Sequence, residues 1–98
     1  MQQNAGMDDP GAYNMRVRVY NRAGDQVLSR AVRAPPYRPF NSVMQRICNR
    51  LDIELHRYEV RSGVMDLTDC REPISRFGIP PGQHLLLDLW PKCVNDSF

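Results

Sequence analysis

Lysine is almost missing from this chain: beside twelve arginines there is one lysine, Lys92. Also missing is any apolar run near the roughly eighteen residues that a membrane-spanning helix needs, so no span is expected. The N-terminus is polar and acidic, without the basic start and apolar middle of a secretory signal peptide. The three cysteines, Cys48, Cys70 and Cys93, are odd in number and widely spaced. They argue against a secreted disulfide framework and give no C-x-x-C spacing for a metal or redox centre. A cytoplasmic location is expected, with the nucleus as the other compartment of the same redox kind, and the Asn95-Asp96-Ser97 glycosylation sequon is set aside accordingly. There is no G-x-G-x-x-G, no phosphate-binding loop and no H-E-x-x-H. His56 and His84 are isolated from each other and from the cysteines, which leaves them structural roles rather than metal ligation. No serine is set apart as a nucleophile, and so small a core offers no evident substrate cleft. Catalysis, a metal and a cofactor are not expected.

What is present is a chain of 98 residues with a formal net charge of +2, one domain's worth of sequence with a modest core. Arginine suits bidentate capture of carboxylates and phosphates and stacking on aromatic rings. The arginines are spread along the chain rather than packed in a run, so nucleic acid is not the expected partner.

Residues 1–13 lack periodicity and are expected to be a flexible lead-in. Met15 to Tyr20 alternates, with Met15, Val17 and Val19 on one face and Arg16, Arg18 and Tyr20 on the other, as a half-buried strand does. Asn21 to Asp25 is a hairpin turn in which Gly24 takes positive φ. Gln26 to Arg33 returns. Its Leu28 and Val32 face the core only if Arg30 lies between them, which a bulge or an edge position would permit. Ala34 to Pro39 ends the strand with prolines. Its Pro36-Tyr-Arg-Pro39 fits the P-x-x-P pattern of proline-rich ligands, but a stiff connector is the favoured reading. Phe40 to Leu51 has the spacing of a helix, with Phe40, Val43, Met44, Ile47, Cys48 and Leu51 inward, Asn41 or Ser42 as cap, and Ser42 with Gln45 at capping-box spacing. Cys48 reads as a core or boundary residue rather than a nucleophile. His56 to Arg61 alternates again, with His56, Tyr58 and Val60 inward and the ring of His56 half covered. Ser62-Gly63 turns the chain, Val64 to Leu67 is a short strand, and Thr68 to Pro73 is a polar loop.

A short apolar turn (Ile74, Phe77, Ile79) and Pro80-Pro81-Gly82 lead into a strand over Gln83 to Trp90. Leu85, Leu87 and Leu89 lie on one face, Leu86, Asp88 and Trp90 on the other. Such a strand belongs in the middle of a sheet with a cover on the leucine side. The order of elements lets the last strand lie parallel beside the first through a right-handed crossover. The expected fold is α+β, a β-grasp: a mixed sheet of four or five strands on one helix, over residues 14–91, with a polar tail at 92–98.

Over roughly Met15 to Trp90 the sequence resembles ubiquitin-like domains. Ile74-Ser-Arg-Phe-Gly-Ile79 and His84-Leu-Leu-Leu-Asp-Leu89 are similar to ubiquitin's Leu-Ser-Asp-Tyr-Asn-Ile turn and its final strand, Leu-His-Leu-Val-Leu. Arg57-Tyr-Glu-Val60 is similar to its third strand. Conjugated modifiers carry Gly-Gly just after the last strand; here Trp90-Pro-Lys-Cys-Val-Asn-Asp-Ser-Phe98 has no glycine, and one lysine gives little for chain building. The resemblance therefore implies a non-conjugated domain, expected to be the N-terminal module of a larger protein. Where ubiquitin has its apolar recognition patch, Glu59 and Asp88 stand here.

The resemblance implies one sheet face covered by the helix and one open. The open face collects Arg16, Arg18 and Tyr20, Arg57, Glu59 and Arg61, and Leu86, Asp88 and Trp90, the mixture found at protein-binding hot spots. Against this stands a plain structural role in which Arg18 or Arg57 neutralises Asp88 and Trp90 folds under the tail. A protein partner at this face is the first expectation, centred on Arg16, Arg18, Leu86 and Trp90. A second is a small GTPase, met as in Ras-association domains through Arg30, Arg33, Arg46 and Arg50. A third is self-association into a scaffold. PB1 domains pair a basic first strand with an acidic loop; Arg16 and Arg18 suit the basic half, but Asp66, Asp69 and Glu72 lack the acidic clustering.

Overall fold

Tyr13 to Tyr20 (β1) and Gln26 to Ala34 (β2) form an antiparallel hairpin in the computed structural model, which describes residues 12–80 and 83–92. The lead-in up to residue 11, the turn at 81–82 and the tail from 93 with its sequon lie outside these residues. In β1 the alternation holds: Met15, Val17 and Val19 are buried, and Arg16, Arg18 and Tyr20 face the other way. At the turn the amide of Asp25 donates to the side-chain oxygen of Asn21 at 2.9 Å, and Gly24 has φ +88°. The parity problem of β2 is resolved by position. Leu28, Arg30 and Val32 pair with Val19, Val17 and Met15, so Arg30 does lie on the core side, but β2 is an edge strand and Arg30 reaches solvent. A bulge also occurs, one step away: Leu28 pairs with Val19 and Gln26 with Tyr20, leaving Val27 unpaired and exposed.

The proline segment is a connector. Pro36 is buried and its carbonyl accepts from the amide of Ser75, while Pro39 bridges to Pro73. A proline-rich ligand must present both prolines of the motif; here Pro39 is exposed but Pro36 is packed away. The helix α1 (Phe40–Arg50) follows, with Phe40, Val43, Met44, Ile47 and Cys48 buried. Neither Asn41 nor Ser42 caps it, and the capping box does not form. The N-cap position is Pro39, whose carbonyl accepts from Ser42 and Val43. The amides of Phe40 and Asn41 donate instead to the carbonyls of Glu72 and Cys70, at 3.0 and 2.8 Å. Orphan donors at a helix start need acceptors, and here a loop distant in sequence supplies them. Gln45, freed from capping, donates to Asn49 one turn on. At the other end Ile53 donates to Cys48 and Asp52 to Asn49. This is a Schellman closure with Asp52, at φ 62°, in the left-handed position that glycine usually takes.

Cys48 is fully buried, and burial pushes its thiol up to about 11 from 9.0. The folded chain therefore keeps this proton after the unfolded chain would release it. The associated stability is complete below about 9 and is lost as pH rises toward 11. Iodoacetamide at pH 8 is expected to leave Cys48 unmodified in the native protein and to label it in urea, as read by peptide mass spectrometry. Rapid labelling without denaturant would contradict its burial.

A 3-10 turn at Leu55–Arg57 then resets the periodicity. His56, expected inward with its ring half covered, is exposed, and Leu55 packs against the core in its place. β3 (Tyr58–Ser62) has Val60 buried, and β4 is only Met65–Asp66. Val64, expected to begin that strand, is 98% exposed at the tip of the turn, while Leu67 is buried. The short turn Ile74–Arg76 buries Ile74 and sets Phe77 against Phe40, with ring centroids 5.4 Å apart. β5 (Leu85–Pro91) runs parallel to β1 and antiparallel to β3, in the sheet order β2-β1-β5-β3-β4. Leu85, Leu87 and Leu89 are buried in the centre of the sheet, facing the helix stripe. The fold is the five-stranded mixed β-grasp with one helix that the element order predicts.

Candidate functional site

Strand registers turn the open face into rows. On β1 and β5, Arg16 pairs with Leu86 and Arg18 with Asp88; the same offset places Trp90 beside Tyr20. On β5 and β3, Asp88 pairs with Arg61 and Trp90 with Glu59. Three rows cross the face: Tyr20, Trp90 and Glu59; then Arg18, Asp88 and Arg61; then Arg16 and Leu86.

In the first row the rings of Tyr20 and Trp90 stack, with centroids 4.0 Å apart and an interplanar angle of 7°. Trp90 is thus held by a neighbouring strand; the tail expected to cover it lies outside the described residues. In the middle row Arg18 grips Asp88 with two hydrogen bonds, Nε to Oδ1 at 2.7 Å and Nη2 to Oδ2 at 3.1 Å. The Asp88 carboxylate raises the pKa of the Arg18 guanidinium from its ordinary value, chiefly through these hydrogen bonds. The pair is partly exposed, with side chains 30% and 20% accessible, so its net contribution is about 1 kcal/mol. The expected internal neutralisation of Asp88 is therefore present, by Arg18 and not by Arg57. Arg57 lies in the 3-10 turn, outside the strand rows, with its Nε 2.6 Å from Glu54. Arg61 is 3.5 Å from Glu59 on its own strand.

The third row stands apart. Arg16 donates to the hydroxyl of Ser29 at 2.8 Å. Leu86 is 41% exposed for a reason visible in the register. The β3 pairing would place Gly63 opposite Leu86, but β3 ends at Ser62 and Gly63 is in the turn. A glycine in a turn covers nothing, so Leu86 is left bare on that side.

The second group of arginines is only partly brought together. Arg33, Arg46 and Arg50 line one cleft between β2 and α1, joined by Arg38 from the connector. Arg30 is not among the cleft's lining residues; its guanidinium turns to the carbonyl of Ser29 at 3.4 Å. Arg38 escaped the sequence reading because it sits inside the proline motif, where it reads as linker. Among the described residues no three His, Cys, Asp or Glu side chains gather as a metal site.

No family model matches the chain, and no curated protein does. Solved structures do. A de novo designed protein based on ubiquitin is 17% identical with a TM-score of 0.61, over 91% of this chain and 99% of the design. The ubiquitin-like domain of an Arabidopsis thaliana protein, solved by NMR, is 12% identical with a TM-score of 0.61, over 100% of this chain and 95% of that domain. At such identities the likeness is one of fold: the chain has the ubiquitin-like fold, and a fold by itself fixes neither function nor partner.

Proposed function

We propose that this domain is a non-conjugated, non-catalytic protein-interaction module that meets its partner with the open sheet face. The observation that carries the reading is Leu86. A strand on the central position of a sheet normally has neighbours on both sides, and this leucine has one. A partner that covers it gains apolar burial worth about 1–2 kcal/mol. The Tyr20–Trp90 stack supports the same reading. Two rings already held against each other lose little freedom on binding and offer a rigid apolar surface. The ion pair between these two apolar spots brings its own compensation, so covering it does not strand a lone charge. Arg16, at the rim beside Leu86, then sets charge preference and encounter rate.

The test is a photo-crosslinker placed at Leu86, with a control at the exposed Tyr37 of the connector, used in cell extract. A protein captured only from position 86 is then purified and its Kd measured. Leu86→Asp is expected to weaken it about tenfold or more, the cost of setting a carboxylate where apolar contact was. Equal affinity of Leu86→Asp and the wild type would remove this face from the function.

A further inference from the structure

The cleft between β2, the connector and α1 is about 320 Å³, and its rim carries Arg33, Arg38, Arg46 and Arg50. Its floor is apolar: Pro35, with Val43 and Ile47 one helical turn apart. No acidic residue lines it, and α1 contains none along its length. Four arginines elsewhere are neutralised by a nearby carboxylate: Arg18 by Asp88, Arg57 by Glu54, Arg61 by Glu59 and Arg76 by Glu72. Among the described residues no carboxylate lies within 4 Å of Arg38, Arg46 or Arg50. Arg46 and Arg50 are also one turn apart on the same helix, so they repel each other where helices more often place opposite charges. Positive charge is thus concentrated around a concavity with an apolar floor.

We propose that this cleft docks an acidic segment of a partner protein, in which carboxylates bracket an apolar side chain. The carboxylates meet the guanidinium forks of Arg46, Arg50 and Arg38, whose planar geometry suits them. The apolar side chain sits on Pro35, Val43 and Ile47. The floor is what selects this occupant. A free phosphate makes no use of it. A single-stranded nucleic acid would be expected to stack its bases, and no aromatic ring lines the cleft. A bilayer surface is flat, and the arginines here surround a hollow. The site is independent of the sheet face that Leu86 marks.

The experiment uses the whole chain with isotope-labelled methyls, titrated with a short fluorescein-labelled peptide of alternating leucine and glutamate. Polyglutamate of equal length, inorganic phosphate, oligouridine and phosphatidylserine vesicles serve as comparison probes. The leucine–glutamate peptide is expected to shift the methyls of Val43 and Ile47 and to bind more tightly than polyglutamate. Arg46→Glu with Arg50→Glu should weaken it about tenfold or more, and the milder Arg46→Gln with Arg50→Gln should weaken it in the same direction. Leu86→Asp and Arg30→Glu should bind as the wild type does. The proposal is overturned if polyglutamate or phosphate binds as well as the mixed peptide, or if the glutamate pair leaves peptide binding intact in a folded protein. It is equally overturned if the methyl shifts fall at Leu86, or if oligouridine or vesicles are the probes that the arginine pair controls.

Discussion

Phe40→Ala is expected to cost about 4 kcal/mol of folding stability, the size usual for emptying a fully buried phenylalanine site. Phe40 has no exposed surface, its ring meets Phe77, and its amide closes the start of α1 on the carbonyl of Glu72. The substitution leaves the amide bond in place and removes the ring, so the loss measures packing and not capping. A domain of this size has about 5–15 kcal/mol to lose, and its melting temperature should fall by about 20 °C. Urea unfolding should show a lower midpoint at unchanged slope. Phe40→Leu, which keeps most of the volume, should cost much less. A loss under about 1 kcal/mol for the alanine variant would mean that the junction of helix, 3-10 turn and sheet is not where the core is anchored.

Trp90→Ala should have the largest effect on partner binding, about thirtyfold or more in Kd, the range of a tryptophan hot spot. It should cost the fold far less than Phe40→Ala, because Trp90 lies on the open face, half-exposed, where its removal creates no sealed cavity. Two controls separate binding from folding. Trp90→Phe keeps a ring for Tyr20 and should recover much of the affinity. Tyr20→Ala leaves Trp90, the chain's one tryptophan, without its stacking neighbour, so its emission should move to the red and return to the blue when a partner covers the face. Unchanged affinity in Trp90→Ala would leave Tyr20 and Trp90 as a structural clasp between β1 and β5 and nothing more.

The parts of the fold legible in the sequence were those set by side-chain periodicity. β1 and β5 alternate without exception, and their buried and exposed sets are as expected. The centre of the sheet followed from the three leucines. Features set by long-range backbone contacts were not legible. The cap of α1 is supplied by carbonyls at Cys70 and Glu72, and local chemistry at Asn41 and Ser42 gives no sign of that. His56 was misplaced because a 3-10 turn shifts the side-chain phase, and period-two counting carries straight through it. On the open face the strand residues were readable, but Arg57 was counted with them although it lies in the 3-10 turn, and the pairings were not legible. Arg18 rather than Arg57 holds Asp88, because the strand register puts them side by side. The exposure of Leu86 depends on where β3 stops, and Arg38 joined the cleft from a segment whose prolines drew attention away from it.

The parallel pairing of β1 with β5 has a consequence for synthesis. Arg18 and Asp88 touch across 70 positions of sequence. As the chain leaves the ribosome, the β1–β2 hairpin and α1 can form early, since their contacts are local. The inner edge of β1 then has to wait, with Val17 and Val19 beside it, until β5 emerges. Closing so long a loop makes this the late and slow step of folding. A half-made chain therefore offers an unpaired apolar strand to any neighbour, and a nascent-chain chaperone would find its binding site there until the final strand arrives.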